Sequence, residues 1–421
     1  MKSRFFSAKA LAGFGIACAV ALTSPAILQA VLGSPAHADE AKPSISPEVS
    51  KPLVAAKAAL EAKNYAEALN QLKEADAVSK KTAYDEAIIE QLRLIAGLGS
   101  GDGAVAAKSY SALDASGNLS PDLKVRYAPE IAKAFYRSKD YASAATFAGN
   151  YFQAGGNDPQ MRILLAHSDY DNNDFANAVK VSNEAIDAYD KSGQKAPESL
   201  YQLAGASANK LGDKAAYAAV LERLTAAYPK PEYWADLVHQ VAVKQGVSGK
   251  LDLDLYRLQD AVGALKSAGQ YAEYADAANQ AGLPGEAKTV MEKAYSAGLP
   301  TTGADAQAYS KLRDSIQRAA TSDQAGMTKA EAEAAKQPNG QALVSTGMDY
   351  YGYGQNDKAV SLIQAGIAKG GLKNPDEAKL HLGIAQLAAG NKAEAVATFK
   401  SISSAEPINT FARLWTIKAD S

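Results

Sequence analysis

The feature that most constrains this chain is a set of positions that recurs after 34 residues. Six positions in one segment return in the next with small or apolar character at all but one place. The first set is Ile131, Ala132, Phe135, Tyr141, Ala144 and Tyr151, and the second is Leu165, Ala166, Asp169, Phe175, Ala178 and Ala185. A 34-residue period of this kind is typical of stacked helix–turn–helix units, which bury their apolar stripes against their neighbours.

The first unit shows how its two helices would pack. Ala56 and Ala68 occupy unit positions 8 and 20, with Tyr65 at position 17 between them. Small residues at these places let antiparallel helices approach closely, and larger residues fill the groove against the next pair. The pattern predicts helices near 49–62 and 66–79. On these positions the chain resembles the tetratricopeptide repeat family, most clearly in repeats three to five and in the last two repeats.

The resemblance implies an all-α fold, a right-handed superhelical solenoid of tetratricopeptide-like repeats. Within it we expect a glycine-rich turn at 97–103, a helix at 253–265 and a final helix that caps the array. The expected parts are a signal peptide at 1–38, a flexible leader at 39–48, a repeat array at 49–301, a bridging helical segment at 302–339, and C-terminal repeats with the capping helix at 340–421.

The N-terminus has the three parts of an export signal. Positive residues precede an apolar stretch at 10–22, and residues 36–38 form a small-x-small cleavage site. An uncleaved anchor would need about 20 apolar residues in a row, and lipid attachment at Cys18 would need leucine where Gly15 stands. We expect cleavage after Ala38 and localisation in the periplasm. Cys18 is the only cysteine, so the mature chain would hold no disulfide.

Composition excludes several classes of partner. The net charge is −2, charged residues make up 21% of the chain and hydrophobic residues 47%. Lysine and arginine are scattered rather than clustered, which argues against nucleic acid. The near-neutral balance argues against binding to an anionic membrane, and no second apolar run predicts stable membrane insertion after signal cleavage.

Motifs for catalysis or metal binding are incomplete. Residues 169–173 imitate the start of a calcium loop, but Asp174 stands where the loop needs glycine and Lys180 where it needs glutamate. Residues 99–104 loosely match a dinucleotide fingerprint that must follow a strand, and residues 207–210 have an SxxK spacing without its companion motifs. The histidines of the mature chain lie in different repeats, at His167, His239 and His381. We expect no enzyme activity, no cofactor and no metal.

The surface remains as the candidate for function. In the family that the chain resembles, the first helix of each pair lines a concave groove. The corresponding positions are Lys133, Tyr136, Arg137, His167, Tyr170, Asp171, Gln202, Asn209 and Lys210. Mixed aromatic and polar groups suit peptide recognition. The sequence therefore favours an exported, non-catalytic scaffold for protein–protein interactions in the bacterial cell envelope. The alternative is a periplasmic protein that binds a peptide or glycan in the tyrosine-lined groove.

Overall fold

A computed structural model describes residues 44–245, 252–403 and 406–421. The expected signal peptide and most of the leader lie outside these residues. Within them the chain forms twenty helices and no strand, so the predicted all-α class is confirmed. The helices group into two compact units that divide after Tyr217. We call them unit 1 and unit 2 and describe each by itself.

Unit 1 is a series of antiparallel helix pairs. Its helices are α1 (Pro47–Glu61), α2 (Tyr65–Asp76), α3 (Ala83–Ser100), α4 (Gly103–Ala115), α5 (Pro121–Arg137), α6 (Tyr141–Gln153), α7 (Pro159–Asp171), α8 (Phe175–Lys191) and α9 (Glu198–Leu211). The division between units falls inside α10 (Lys214–Ala227). Ala56 and Ala68 have no exposed surface, which confirms that small residues sit where α1 and α2 meet.

The turns inside the helix pairs repeat with the period. Asp140 accepts a hydrogen bond from the backbone N–H of Ser143 at 3.1 Å, and Asp174 accepts one from Asn177 at the same distance. The residue just before each aspartate has a left-handed backbone conformation: Lys139 has φ 65° and Asn173 has φ 64°. The aspartates therefore cap the second helices, a role for which aspartate is strongly favoured.

The predicted glycine turn at 97–103 is wrong in its extent. Helix α3 continues to Ser100, so Gly97 and Gly99 are helical. A Cβ on Gly97 would lie 2.7 Å from the backbone nitrogen of Ala106, and one on Gly99 would lie 2.2 Å from the Tyr65 ring. These glycines allow close helix contact rather than a turn, and only Gly101, with φ 78°, ends the helix.

Unit 2 combines helix pairs with two irregular elements. Its remaining helices are α11 (Pro231–Gln245), α12 (Asp252–Ala261), α13 (Ala268–Gln280), α14 (Pro284–Ser296), α15 (Ala304–Lys336), α16 (Gln341–Gly352), α17 (Asn356–Lys369), α18 (Pro375–Ala388), α19 (Lys392–Lys400) and α20 (Ile408–Asp420). Helix α12 ends four residues earlier than predicted, because Gly263 turns the chain with φ 66° and Leu265 is buried in the loop that follows.

The segment between the repeats is one helix of 33 residues, α15. Ile316 joins the apolar core formed by α13 and α14, whereas Met327 and Ala334 join the core formed by α16 and α17. A single helix thus contributes to two neighbouring cores through a narrow apolar stripe, and the rest of its surface is mostly exposed.

The final helix, α20, buries Phe411, Leu414 and Trp415 against α19 and α18. The Trp415 ring stacks on Phe399 with centroids 6.2 Å apart. Its apolar face closes the last repeat, which an array needs because each unit covers only its neighbour. Within the described ranges, no helix combines the length and apolar character required to cross a membrane.

Candidate functional site

Two surfaces carry concentrations of polar side chains, one in each unit. The first is the row of predicted groove residues on α5, α7 and α9 of unit 1, which we call the first-helix row. Tyr136 on α5 donates its hydroxyl hydrogen bond to Asp171 Oδ2 on α7 at 3.1 Å. This bond joins neighbouring first helices at matching places in the repeat. The structure therefore brings these two predicted residues together on one face.

The tyrosines of the row are held in the same way one repeat apart. Tyr136 packs edge-on against Tyr141 with centroids 5.4 Å apart, and Tyr170 packs edge-on against Phe175 at 5.5 Å. Each ring is half-buried, since one side contacts the second helix of its own pair. Burial, the Asp171 carboxylate and the hydrogen bond to it raise the pKa of Tyr136, so its hydroxyl remains a proton donor.

The other predicted residues divide by exposure. Arg137, Asn209 and Lys210 are exposed, at or near the last turns of α5 and α9. Lys133 is half-buried and pairs with Glu130, with 2.8 Å between Nζ and Oε1. Gln202 is half-buried as well. These side chains give the row a mixed polar character.

His167 lies apart from the accessible face. It is only 6% exposed, and burial lowers the pKa of its imidazole against the opposing effect of Asp171. A side chain this enclosed serves helix packing within unit 1. A partner at the surface of the row would reach the neighbouring Tyr170 and Asp171 instead.

Asp169 is a buried carboxyl that the groove positions do not include. Burial and the nearby Asp174 raise its pKa to about 7, although Asn177 Nδ2 donates a hydrogen bond to Oδ2 at 2.7 Å. The sequence held a signal for it, because Asp169 is the one place where the 34-residue recurrence loses its apolar character.

The second surface is a cavity of about 780 Å³ in unit 2, which we call the unit 2 cavity. It lies between α12, the end of α13, α16 and the start of α18. Helices α13, α16 and α18 are the first helices of their pairs. Helix α12 supplies a fourth side, with Leu253, Asp254 and Arg257 in the lining.

One side of this cavity is a buried ionic network centred on Arg257, whose side chain is 2% exposed. Its Nε and Nη2 donate to both oxygens of Glu286 on α14, at 2.8 and 2.7 Å. Its Nη1 donates to Asp254 Oδ1 at 2.8 Å. Tyr274 on α13 donates to Glu286 Oε1 at 2.6 Å, and His381 Nε2 on α18 lies 3.1 Å from Asp254 Oδ1. The network thus connects four helices.

The protonation states in the network follow from its contacts. Burial would raise the pKa of Asp254, but the charge and hydrogen bonds of His381 and Arg257 outweigh it and lower the pKa to about 2. Burial and the Glu286 carboxylate raise the pKa of Tyr274. Asp254 is therefore ionised and Tyr274 is a neutral donor at any physiological pH.

Sequence reasoning missed this network. The only local signal was the i,i+3 spacing of Asp254 and Arg257, which is common on exposed helices. In the described part of the chain, no group of three or more histidine, cysteine or acidic side chains is arranged to hold a metal ion.

No protein-family model matches the chain, and no curated protein matches it. Solved structures similar to it include the TPR2AB domain of yeast Sti1 in complex with pHSP90, at 11% identity over 70% of this chain and 98% of that one, with a TM-score of 0.24. The P58(IPK) TPR domain (13% identity, 88% and 97% covered, TM-score 0.22) and yeast Tom70 (10%, 88% and 95%, 0.24) are also similar. At these TM-scores the similarity carries no argument about function. The tetratricopeptide-like architecture rests on the helix pairs of the chain itself.

Proposed function

We propose that this tetratricopeptide-like repeat protein is an exported, non-catalytic scaffold that binds a protein or peptide partner through the first-helix row of unit 1. The observation that carries the proposal is the Tyr136–Asp171 hydrogen bond across neighbouring first helices. It supports a continuous binding face, because side chains from successive repeats lie next to each other there.

The chemistry of the row suits an extended peptide. Tyr136 and Tyr170 present stiff, half-buried rings that lose little conformational entropy on binding. Arg137, Asp171 and Lys210 add exposed charges of both signs. Such a surface would bind through aromatic contacts and hydrogen bonds, with charge complementarity setting specificity and association rate.

Export is part of the proposal and depends on residues 1–38, which the structure does not describe. Signal peptidase cleavage after Ala38 would release a mature chain into the periplasm of the bacterial cell envelope. N-terminal sequencing of the protein from its host should begin at Asp39. A chain that begins at Met1, or one that carries lipid at Cys18, would contradict this localisation.

The binding face can be tested with matched triple variants. Arg137→Ala, Asn209→Ala and Lys210→Ala together remove exposed groups from the row without entering the core. Thr146→Ala, Lys180→Ala and Glu184→Ala remove exposed groups from the second helices α6 and α8 and serve as the control. Helicity and melting should be unchanged in both.

The assay is photo-crosslinking in the host, with a crosslinkable amino acid at Gln202 of the row or at Ala176, which is exposed on α8, followed by mass spectrometry. Neither position is changed in the triple variants. We expect one stoichiometric protein adduct from Gln202 that the row variant loses and the control variant keeps. Adducts at Ala176 alone, or equal capture by both triple variants, would show that another surface binds the partner.

A second candidate is a binding protein for a peptide or glycan, favoured by the half-buried Tyr136 and Tyr170 rings one repeat apart. Aromatic faces at such spacing can stack on successive sugar rings as well as on peptide side chains. A thermal-shift panel of oligosaccharides tests it. A saturable shift that Tyr136→Ala abolishes would favour the glycan, and no shift would favour the protein partner.

A further inference from the structure

We propose that the unit 2 cavity binds an organic cation, an alkylammonium or guanidinium group carried on an aliphatic stem. The proposal concerns residues of unit 2 alone and does not depend on the first-helix row. Its basis is the shape of the cavity, the balance of charge in its lining, one carboxylate without a partner, and an apolar wall.

The charge balance of the cavity favours a cation. Arg257 faces two carboxylates, Asp254 and Glu286, so this network carries one negative charge when His381 is neutral and none when His381 is protonated. The rest of the lining adds Asp349 and Glu377 against one further cation, Lys373. An anionic ligand would meet this excess negative charge in a partly enclosed space, where charges interact more strongly than in water. A cation would offset it.

Asp349 on α16 is the carboxylate that indicates a bound ligand. Along the parts of the chain that the structure describes, its carboxylate has no hydrogen bond or ion pair, although it is half-buried and lines the cavity. Burial and the nearby Asp323 raise its pKa to about 7. A partly buried carboxylate without a partner is costly to the fold, and a bound ammonium or guanidinium would supply the missing partner.

An apolar wall faces these charges and defines the rest of the ligand. Leu253 on α12, Leu283 before α14, and Val344 and Met348 on α16 all line the cavity. They would pack on an alkyl stem, as apolar walls commonly do in ligand sites of about 300–1,000 Å³. A bare metal ion or ammonium would leave this wall unused, so the ligand combines a cationic head with methylene groups.

This chemistry has two sources, a free diamine and a lysine or arginine side chain of a peptide. Isothermal titration calorimetry with the full mature chain distinguishes them. The first arm uses 1,5-diaminopentane, and the second uses a capped pentapeptide with one central lysine between glycines. A matched peptide with norleucine in place of lysine measures binding by the stem alone. Saturable binding in either cationic arm and none of the norleucine peptide is the expected result.

Asp349→Asn is the decisive variant. It removes the charge, keeps the size of the side chain and relieves an unpaired carboxylate, so folding should not suffer. We expect affinity for the cationic probe to fall by about 10- to 100-fold, the range for loss of a hydrogen bond to a charged group. Asp357→Asn, an exposed carboxylate on α17 outside the cavity, is the control and should bind like the parent.

The pH profile provides a second readout. Affinity should fall between pH 8 and pH 6, because protonation of Asp349 removes the partner charge, and the Asp349→Asn variant should lose this dependence. The charged and titratable groups around Asp349 are Asp323 on α15, Tyr353 after α16, Asp254 and Arg257 on α12, Lys373 before α18, and Glu377 and His381 on α18.

Three outcomes would overturn the proposal. They are no saturable heat from either cationic probe at millimolar concentration, equal affinity of the norleucine and lysine peptides, and unchanged affinity of Asp349→Asn. Circular dichroism and tryptophan fluorescence of each variant establish that a lost signal comes from the site and not from unfolding.

Discussion

Replacing Arg257 by methionine should destabilise unit 2 more than any surface change of the same size. The substitution keeps an unbranched, mostly apolar side chain in a site that is 2% exposed. It removes three charged hydrogen bonds of 2.7–2.8 Å, two to Glu286 and one to Asp254. Both carboxylates then remain buried with no guanidinium between them.

The magnitude follows from what is left behind. Removing one partner of a buried ion pair costs about 3–5 kcal/mol, because the other charge stays desolvated. The pKa of Asp254 agrees in direction, since His381 and Arg257 together hold it below its ordinary value despite burial. A domain has about 5–15 kcal/mol in total. The Arg257→Met variant should therefore lose a large part of the stability of unit 2.

The chain offers a specific probe and a matched control for this measurement. Both tryptophans, Trp234 and Trp415, are 3% exposed and belong to unit 2, so tryptophan fluorescence during urea unfolding reports that unit. Lys293 on α14 pairs with Asp260 on α12 at 2.6 Å, with 47% of the lysine side chain exposed. It connects the same two helices as Arg257 does through Glu286, but in water. Lys293→Met should cost only about 0–1 kcal/mol.

The direction in which stability changes with pH follows from the pKa of Asp254. The folded pKa of Asp254 lies below its ordinary value, so its contribution is complete above about pH 4 and is lost as pH falls towards 2. In Arg257→Met the two carboxylates lose the guanidinium and should take up protons more readily, so the loss of stability should shrink from pH 7 to pH 4. Equal losses for Arg257→Met and Lys293→Met, or a deficit under about 1 kcal/mol at pH 7, would refute the reasoning.

Three further changes test unit 1 by circular dichroism. Gly97→Ala should destabilise it, because the new Cβ would lie 2.7 Å from a backbone atom. Gly149→Ala, with open space around the new Cβ in α6, should stabilise it by about 0.5–1 kcal/mol. A stability change of the same sign for both variants would contradict the packing. Ala144→Glu buries a charge where no surface is exposed and should cost several kcal/mol, and Ala142→Glu, exposed on the same helix, should be nearly neutral; similar melting of the two would refute this. Because the pKa of Asp169 is raised, its contribution to stability is present below about pH 4 and is lost as pH rises through 7. Asp169→Asn should therefore reduce the loss of stability between pH 5 and pH 8. An unchanged profile of stability against pH would exclude the effect.

Local spacing was enough to predict the helix pairs. Ala56 and Ala68 are buried where the period places them, and Asp140 and Asp174 cap the second helices as their position before an aromatic residue indicates. These features depend on residues a few positions apart, so a single sequence contains them. The extent of α3 was not predictable in this way. Whether Gly97 ends a helix or packs inside one depends on how closely α4 approaches it.

The candidate sites show the same limit at longer range. Tyr136 and Asp171 are 35 residues apart, about one repeat, and the recurrence placed both on the first helices. Asp254 and His381 are 127 residues apart, and no period relates them. Their contact depends on where the irregular helix α12 lies against α18, which the repeat pattern does not specify. The buried state of His167 was missed for a similar reason, since the alignment gives a position on the helix but not its depth.

Departure from the repeat therefore has a physical consequence in unit 2. Regular pairs meet mainly through small and apolar residues, with single buried carboxyls such as Asp169 rather than a network of charges. Helix α12 lies outside the repeats that resemble the family most clearly. Its Asp254 and Arg257 side chains contact the neighbouring helices instead. Once buried, these groups must satisfy one another and recruit Glu286 and Tyr274, because an unpaired charge would cost several kcal/mol. The resulting network lies beside the unit 2 cavity, and breaks in a local sequence pattern of this kind are expected at functional or strained sites.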